Sequence, residues 1–327
     1  MGKTAFVTGG TGFVGSHLVE LLLASGYDEA RCLVRTSPKW LDGMDVKLVR
    51  GELDDRDLLL NAVSGVDYVY HVGGLTRSTR WEDYYEANVR GTIRLMEAVA
   101  EANPGLRKVL ITSSLALIGR SDQPIADETT PMRPISLYGR SKAQMELELA
   151  VWTDRLPLVI VRPPVVYGPR EADVYTFFKT VFKGICPIVG FGGEPELSLV
   201  HVADLVRGMM TAAESDVTVG KTYFIGSDEQ YSWPDIRDAV KRLVKGPVLT
   251  IRVPKPLVVP VGTAAEWIGR LFGQYPPLNR EKAEEILKAC KMCSSARAKE
   301  DFGYSQRMPL REGIAGTIDW YKREGWL

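Results

Sequence analysis

The sequence predicts an α/β chain, a doubly wound parallel sheet with a smaller mixed α/β C-terminal lobe. Three observations predict it. Short continuous apolar runs recur through the first half, stretches of helical period separate them, and beyond Arg162 the pattern loosens into loop, aromatic and proline-rich segments. Apolar runs without alternation are what strands covered on both faces require, and strands alternating with helices build a sheet with helices on both sides.

In chain order, the strands are residues 4–7, 31–34, 66–70, 109–111 and 158–161, with a further strand ending in Gly51-Glu52-Leu53. Helical period covers residues 16–24, 84–102 and 136–152. One later strand, 221–226, and helices near 233–244 and 279–291 belong to the second half. No repeat, low-complexity tract or Gly/Ser linker marks a border, so the lobes are expected to exchange segments. Residues 1–168 form the first domain and 169–327 mainly the second lobe, with about 199–226 returning to the first.

Length and composition fit this reading: 327 residues, 45% of them hydrophobic, suffice for one large core or two modest ones. Lys plus Arg and Asp plus Glu stand at 41 each, so no net field attracts a phosphate backbone or an anionic membrane surface, and nucleic acid is not expected as a partner. The four cysteines are scattered except for Cys290 and Cys293, a usage that suits a reducing compartment. That pair has no further ligands at zinc spacing, so it reads as two partly buried thiols on a helix, and no metal is expected. Residues 1–8 run straight into a strand and a glycine turn without an apolar leader, and a cytoplasmic protein is expected. The apolar stretch 257–265 is broken by Pro260 and Gly262 and falls short of the ~20 residues of a membrane span, so no transmembrane segment is expected.

The strand at 4–7 is followed by Thr8-Gly9-Gly10-Thr11-Gly12-Phe13-Val14-Gly15 and then by a helix. In that context glycines allow a tight turn and let backbone approach a pyrophosphate, while the helix N-terminus offers free N–H groups and the positive end of its dipole. About 20 residues beyond Gly15, where an acidic residue would bind both ribose hydroxyls of NAD, stands Arg35. A guanidinium there, with Ser37 and Lys39 nearby, suits the 2′-phosphate of NADP, and NAD remains the alternative. Glu52 and Leu53 end a strand where side chains flank an adenine. Val72, Gly73 and Gly74 follow His71 and leave room for a cofactor.

Tyr138 and Lys142 open a helix one turn apart, on one face. A phenol with a reference pKa near ~10 is a poor proton donor and acceptor at neutral pH; a nearby ammonium would lower it and so tune it. Delivering a proton to a developing alkoxide is the task that hydride transfer to a carbonyl leaves for such a group. The strand at 109–111 ends in Thr112-Ser113-Ser114, placing a hydroxyl at the carboxyl edge of the sheet, where ligands bind in open parallel folds.

Taken together, these residues resemble the extended short-chain dehydrogenase/reductases, Rossmann-fold enzymes that include sugar-nucleotide epimerases, dihydroflavonol reductases and 3β-hydroxysteroid dehydrogenases. Residues 8–15 resemble the family's cofactor loop, Asn88-Val89-Arg90-Gly91-Thr92 its fourth-helix asparagine motif, Thr112-Ser113-Ser114 its hydroxyl segment and Tyr138 to Lys142 its tyrosine–lysine motif. The resemblance implies that Ser114 bonds the substrate oxygen, Tyr138 is the acid/base, Lys142 also holds the nicotinamide ribose and Asn88 supports the site. It further implies that residues 162–169, Pro164 among them, lie beneath the nicotinamide, that His201-Val202-Ala203-Asp204 is structural, and that a homodimer forms through helices 84–102 and 136–152. The C-terminal stretch, from Phe302-Gly303-Tyr304 through Gly313 to Trp320-Tyr321, is similar to the family's terminus.

Three departures point toward a reductase. Arg35 replaces the acidic residue usual in NAD-retaining epimerases. Leu115 and Ala116 follow Ser114, where family dehydratases carry acids for elimination. Leu197-Ser198-Leu199 precedes the His201 segment, where nucleotide-sugar members commonly carry an arginine for the diphosphate. Tyr175, Phe177, Phe178, Phe182 and Phe191 either line a pocket for an apolar ketone or form the core of the small lobe. The expectation is an NADP(H)-dependent carbonyl reductase or alcohol dehydrogenase acting on a hydrophobic small molecule. The alternative is a nucleotide-sugar epimerase or reductase that anchors its diphosphate on Arg170, Lys179 or Arg252. His17 and His71 read as a helix-face residue and a strand-end packing residue.

Overall fold

A computed structural model describes residues 2–190, 196–271 and 279–327. Seven strands, β1 (Lys3–Thr8), β2 (Tyr27–Val34), β3 (Lys47–Arg50), β4 (Tyr68–His71), β5 (Lys108–Thr112), β6 (Leu158–Arg162) and β7 (Lys221–Phe224), form one sheet. Its order is β7-β6-β5-β4-β1-β2-β3, with every neighbouring pair parallel. This is the doubly wound α/β fold that the sequence predicts. After β3 the chain crosses back to lie beside β1 as β4, so the direction of winding reverses between β1 and β4 and leaves a crevice at their carboxyl ends.

Burial explains the uninterrupted apolar runs. β4, β5 and β6 are buried along their whole length, and layers of helices cover both faces. Leu18 and Leu22 of helix Phe13–Ala24, with Val206 and Met209 of helix Val202–Glu214, pack on Ala5 and Val7. Phe6 points the other way, toward Leu95, Val99, Met145 and Leu149. β7 comes from the second half of the chain and closes the sheet beside β6.

The remaining elements build a second hydrophobic cluster around Phe178, Ile188, Tyr231, Ile236, Trp320 and Tyr321. It holds a three-stranded sheet of Gln230–Tyr231, Leu197–His201 and Val165–Tyr167, and a parallel ribbon of Ile185–Val189 with Leu249–Val253. The Leu197–His201 strand and this ribbon have no counterpart among the strands expected from sequence.

Three local expectations need correction. The helix expected over 84–102 starts at Trp81 and carries a π segment, Tyr85–Arg90, before Gly91–Ala102. Cys290 and Cys293 are not on a helix: Arg280–Lys288 ends before them, and Met292–Cys293 pairs as a strand with Ile125–Ala126. The stretch 257–265 is not broken by its proline and glycine but lies inside helix Lys255–Leu271. Pro260 sits on its exposed side, and Gly262 is a helix contact, since a Cβ there would come within 2.7 Å of the Asn279 carbonyl. Among the described residues, no helix is long and apolar enough to cross a membrane.

Candidate active site

The glycine loop joins β1 to helix Phe13–Ala24 at the crevice. Gly9 adopts φ +75°, and a Cβ there would lie 2.5 Å from the Gly73 nitrogen; one on Gly15 would lie 2.1 Å from the Gly9 carbonyl. Both contacts are backbone to backbone, so no side chain fits without moving β1 or β4. Gly12 is the N-cap and brings no side-chain cap, which leaves the first N–H groups of the helix for a ligand. Thr11, Phe13 and Val14 are half-buried along this turn, Gly73 meets Gly9 from the end of β4, and Gly74 lies beside Asn88 and Lys142. This cradle of glycines against an uncapped helix start fits a dinucleotide pyrophosphate.

Arg35 is exposed immediately after β2, and Ser37 and Lys39 share its loop, where the Ser37 hydroxyl accepts from the Lys39 N–H at 3.3 Å. Glu52 is exposed beyond β3, while Leu53 packs against Gly91. Pro164 is buried beside Gly226, and the Pro163 carbonyl accepts from the Leu115 N–H at 2.9 Å, which ties that segment to the hydroxyl turn.

That turn begins at Ser114, whose Oγ accepts from the Ala116 N–H at 3.1 Å. Helix Leu137–Leu149 is capped by Ser136 and brings Tyr138 to Ser114. Gly139 makes the approach possible, because a Cβ there would stand 2.4 Å from the Ala116 carbonyl. One turn along, Lys142 is 4% exposed and donates from Nζ to the Thr112 carbonyl at 2.8 Å, beside Gly74. Burial pushes the Tyr138 phenol up to about 12, against the pull of its hydrogen bond from Ser114. The lowering expected from Lys142 does not hold for the resting phenol: the group that lowers it is Ser114, and burial outweighs it. Burial also brings the Lys142 ammonium down to about 8, with the Glu146 carboxylate working in the other direction. The Thr112 and Ser113 hydroxyls are buried without a hydrogen-bond partner among the described residues.

Asn88, 1% exposed, sits in the π segment and binds both sides of the Leu75 backbone. Its Oδ1 accepts from the Leu75 N–H at 2.6 Å, and its Nδ2 donates at 2.9 Å to the Leu75 carbonyl and to Ser141 Oγ. Ser141 in turn donates to the Tyr138 carbonyl at 2.8 Å. On the other side, the single hydroxyl proton of Thr92 goes to the Asn88 carbonyl at 2.7 Å, so His71 Nε2 must donate to Thr92 Oγ1 at 2.8 Å. His71 Nδ1 then accepts from the Thr8 hydroxyl at 2.6 Å, and that oxygen accepts from the Gly73 N–H at 3.3 Å. Burial drives the His71 imidazolium down to about 3, which agrees with the neutral tautomer this chain of bonds requires. The network runs from the glycine loop to the backbone of Tyr138. His71 is thus more than a packing residue; no local sequence signal distinguishes it, because its two ring partners, Thr8 and Thr92, come from two separate elements distant in sequence.

Comparison with known proteins agrees with this geometry. The profile of the NAD dependent epimerase/dehydratase family matches residues 5–226. The chain belongs to that family. Its relatives include the ceramide reductase of Caulobacter vibrioides (strain NA1000 / CB15N), 26% identical over 98% of this chain and 95% of that protein. Another is the 2-alkyl-3-oxoalkanoate reductase of Stenotrophomonas maltophilia (strain K279a), 28% identical over 94% and 96%. Among solved structures, gox2253 superposes with a TM-score of 0.81 at 32% identity over 99% of both chains. The protein is an extended short-chain dehydrogenase/reductase and an NAD(P)-dependent oxidoreductase.

Within this epimerase/dehydratase fold, the structure places the aromatics and cations that the sequence left open, and it gives the His201 segment the structural role expected of it. Phe177, Phe178 and Phe182 belong to the core cluster of the second lobe, and Tyr175 packs edge-on against Tyr321 and Trp326, so these aromatics do not line a pocket; Phe191 lies outside the described residues. Arg170 is engaged: it donates to Ser16 Oγ at 2.9 Å, pairs with Glu20 at 2.5 Å and stacks on Trp40, fastening the second lobe to helix Phe13–Ala24. Lys179 lies over the Tyr175 ring, and Arg252 is exposed on its strand. Leu197, Ser198 and Leu199 are buried in a strand. His201 caps helix Val202–Glu214, while Asp204 accepts from the Arg307 and Met308 N–H groups, a structural role.

Sequence reasoning missed four residues that position the tyrosine helix. Glu281 of helix Arg280–Lys288 accepts from the Leu137 N–H at the start of the tyrosine helix, and Glu285 stands close enough to raise the Tyr138 phenol further. Glu146 and Arg162 form a buried bidentate pair, at 2.6 and 3.0 Å, that joins this helix to the end of β6. The spacing of a helical period gives no hint of such long-range partners.

Proposed function

We propose that this protein is an NADP(H)-dependent carbonyl reductase or alcohol dehydrogenase that transfers hydride to or from a hydrophobic ketone or alcohol. The observation that carries the reading is the meeting of Ser114, Tyr138 and Lys142 at the carboxyl edge of the sheet, beside Gly74 and the glycine loop. Gly9 to Gly15 would hold the pyrophosphate, Arg35 with Ser37 and Lys39 the 2′-phosphate, Glu52, Leu53 and Val72 to Gly74 the adenosine side, and Lys142 and Pro164 the nicotinamide end. When bound, the nicotinamide gives or takes the hydride.

Ser114 donates a hydrogen bond to the substrate oxygen and orients it. Tyr138, protonated at neutral pH because its phenol lies near about 12, gives its proton to that oxygen in the reduction direction. Lys142 places a positive charge near the phenolate left behind, and this charge acts on the ionised form rather than on the resting phenol. Asn88 holds Leu75 and Ser141, and through them the site's shape. For the substrate class, support comes from relatives named for reducing a ceramide and a 2-alkyl-3-oxoalkanoate, and from a buried Leu197-Ser198-Leu199 strand that offers no guanidinium to a diphosphate. On this reading residues 1–168 bind the dinucleotide and 169–327 mainly the substrate. Exposed Leu147 on the tyrosine helix and Val151 in the 3-10 turn Ala150–Trp152 that follows it support a homodimer through that face, and the four free cysteines suit a cytoplasmic setting.

The test is to mix purified protein and NADPH with medium-chain 3-oxo esters and, separately, with UDP-glucose. NADPH consumption with the oxo esters that Tyr138→Phe abolishes supports the reading. Epimerisation of the sugar without net cofactor turnover overturns it.

A further inference from the structure

Two ion pairs fasten the chain beyond β6 to the glycine cradle. On one side Arg170, mostly buried, donates to Ser16 Oγ, one residue beyond Gly15, and pairs with Glu20. On the other, Arg77 of the loop after β4, three residues beyond Gly74, pairs with Asp173, the first residue of helix Asp173–Phe182. The fastenings thus belong to the two elements that form the cradle, where Gly9 meets Gly73. Between Arg170 and Asp173 the chain reaches at most about 11 Å, which leaves little slack.

Both anchors are held from behind. Arg170 adopts φ +72°, a left-handed conformation that a non-glycine residue keeps only where its surroundings hold it there. The Tyr321 hydroxyl, from the core of the second lobe, donates to the Glu171 carbonyl at 2.6 Å, and the Glu171 carboxylate accepts from the Asp173 N–H at 2.8 Å, which fixes the start of the helix. Across the gap, Asn88 binds the Leu75 backbone, and the Tyr84 hydroxyl accepts from the Ser78 N–H at 2.9 Å and donates to the Thr76 carbonyl at 3.2 Å, so Arg77 leaves a fixed loop. Arg77 also acts on the buried Glu171 carboxylate. Its pair with Asp173 is exposed on both sides, and of the two fastenings it is the one that parts at little cost.

We propose that residues 168–173 are a strap over the cofactor's pyrophosphate and that Arg77–Asp173 is its latch, so that the dinucleotide enters and leaves when this pair parts. The positions of the two fastenings carry the proposal. The lasting one, Arg170, sits on the helix whose uncapped start faces the pyrophosphate, and the breakable one sits on the loop that leaves Gly74, beside Lys142 and Asn88. A lid that is hinged at one wall and latched at the other controls exchange across the space between them. The proposal rests on the reading that the glycine loop holds a dinucleotide; it does not depend on the substrate or on NADP over NAD.

Stopped-flow fluorescence of the purified full chain with NADPH, or with NADH if that is the cofactor it binds, reads association and dissociation separately. Arg77→Gln and Asp173→Asn should each raise both rates about three- to fivefold, the upper range for loss of an exposed pair, while Kd stays within about twofold. The double variant Arg77→Gln/Asp173→Asn should be no faster than either single one, and Arg77→Lys should stay near wild type. Arg107→Gln, which breaks the ion pair with Asp67 at the amino ends of β5 and β4, should change neither rate. Raised salt should bring wild type toward the variants. Unchanged rates in Arg77→Gln and Asp173→Asn, or effects that multiply in the double variant, would overturn the latch. Faster dissociation alone, with Kd rising to match, would give Arg77 a direct contact with the cofactor and also overturn it. If wild type binds neither reduced cofactor, the dinucleotide reading is lost and the strap with it.

Discussion

The imidazole of His71 accepts a 2.6 Å hydrogen bond from the hydroxyl of Thr8, joining the end of β4 to the strand beneath the glycine loop. Thr92 receives the other ring nitrogen, and the bonds continue through Asn88 and Ser141 to the Tyr138 backbone. The cofactor loop and the acid/base helix are therefore positioned by one chain of hydrogen bonds.

Replacing His71 with leucine leaves the Thr92 hydroxyl without its donor and the Thr8 hydroxyl without its acceptor, at a cost of about 1–3 kcal/mol in stability. Because the loop shifts, NADPH dissociation should rise about tenfold. The pH dependence has a definite sign. With a folded value of about 3 against 6.5, the unfolded chain binds a proton that the folded chain refuses, so this stability is full above 6.5 and is lost as pH falls toward 3. Burial lowers His17 and His201 as well, which adds slope of the same sign. Urea unfolding of wild type and His71→Leu across this window should show a shallower acid slope in the variant, by about 1.4 kcal/mol per pH unit.

Gly139→Ala should be a catalytic lesion with little effect on cofactor affinity. Its Cβ would stand 2.4 Å from the Ala116 carbonyl, forcing the Ser114 turn away from Tyr138. We expect kcat/KM to fall about 100-fold, since a misplacement of ~1 Å carries that penalty. Gly105→Ala, which meets nothing within 4 Å, is the matched control and should leave both constants unchanged.

Much of this site was legible because its determinants are local. The run Gly9 to Gly15 states its own turn and helix start, and Tyr138 with Lys142 states a helix face. The seven-stranded sheet was legible in the same way, from apolar runs that burial on both faces demands. What escaped depends on distant partners. Arg170 looked like a spare cation until Glu20 and Trp40 were placed beside it, and the aromatics from Tyr175 to Phe182 could face a pocket or a core with equal propriety. Pro260 read as a break because periodicity carries no information about which side of a helix tolerates a missing N–H.

Glu146 and Arg162 supply a prediction about stability alone. Their side chains are buried and bidentate, so Glu146→Ala strands a guanidinium and should cost about 3–5 kcal/mol. The double variant Glu146→Leu/Arg162→Met should recover most of that loss. A double-mutant cycle by thermal or urea unfolding measures the coupling; additive losses would mean that the pair does not act as a unit.

Tyr138→Phe should lower kcat by about 10²–10⁴ while cofactor binding stays within about threefold. Lys142→Met removes the charge beside the phenol and a group placed for the ribose, so it should weaken NADPH binding as well as turnover. Single-turnover reduction, with cofactor affinity measured separately, distinguishes the two residues. Equal effects on both constants in Tyr138→Phe would contradict its assignment as acid/base.

The most direct test of an NADP(H)-dependent, dissociable-cofactor reductase is a fluorescence titration of the purified protein with NADPH and with NADH, beside Arg35→Asp. Arg35 is exposed at the end of β2, where its guanidinium can meet a 2′-phosphate. NADPH should bind about 10- to 100-fold more tightly than NADH, and Arg35→Asp should abolish that preference. A preference for NADH, or NAD that copurifies and does not exchange, would contradict the account.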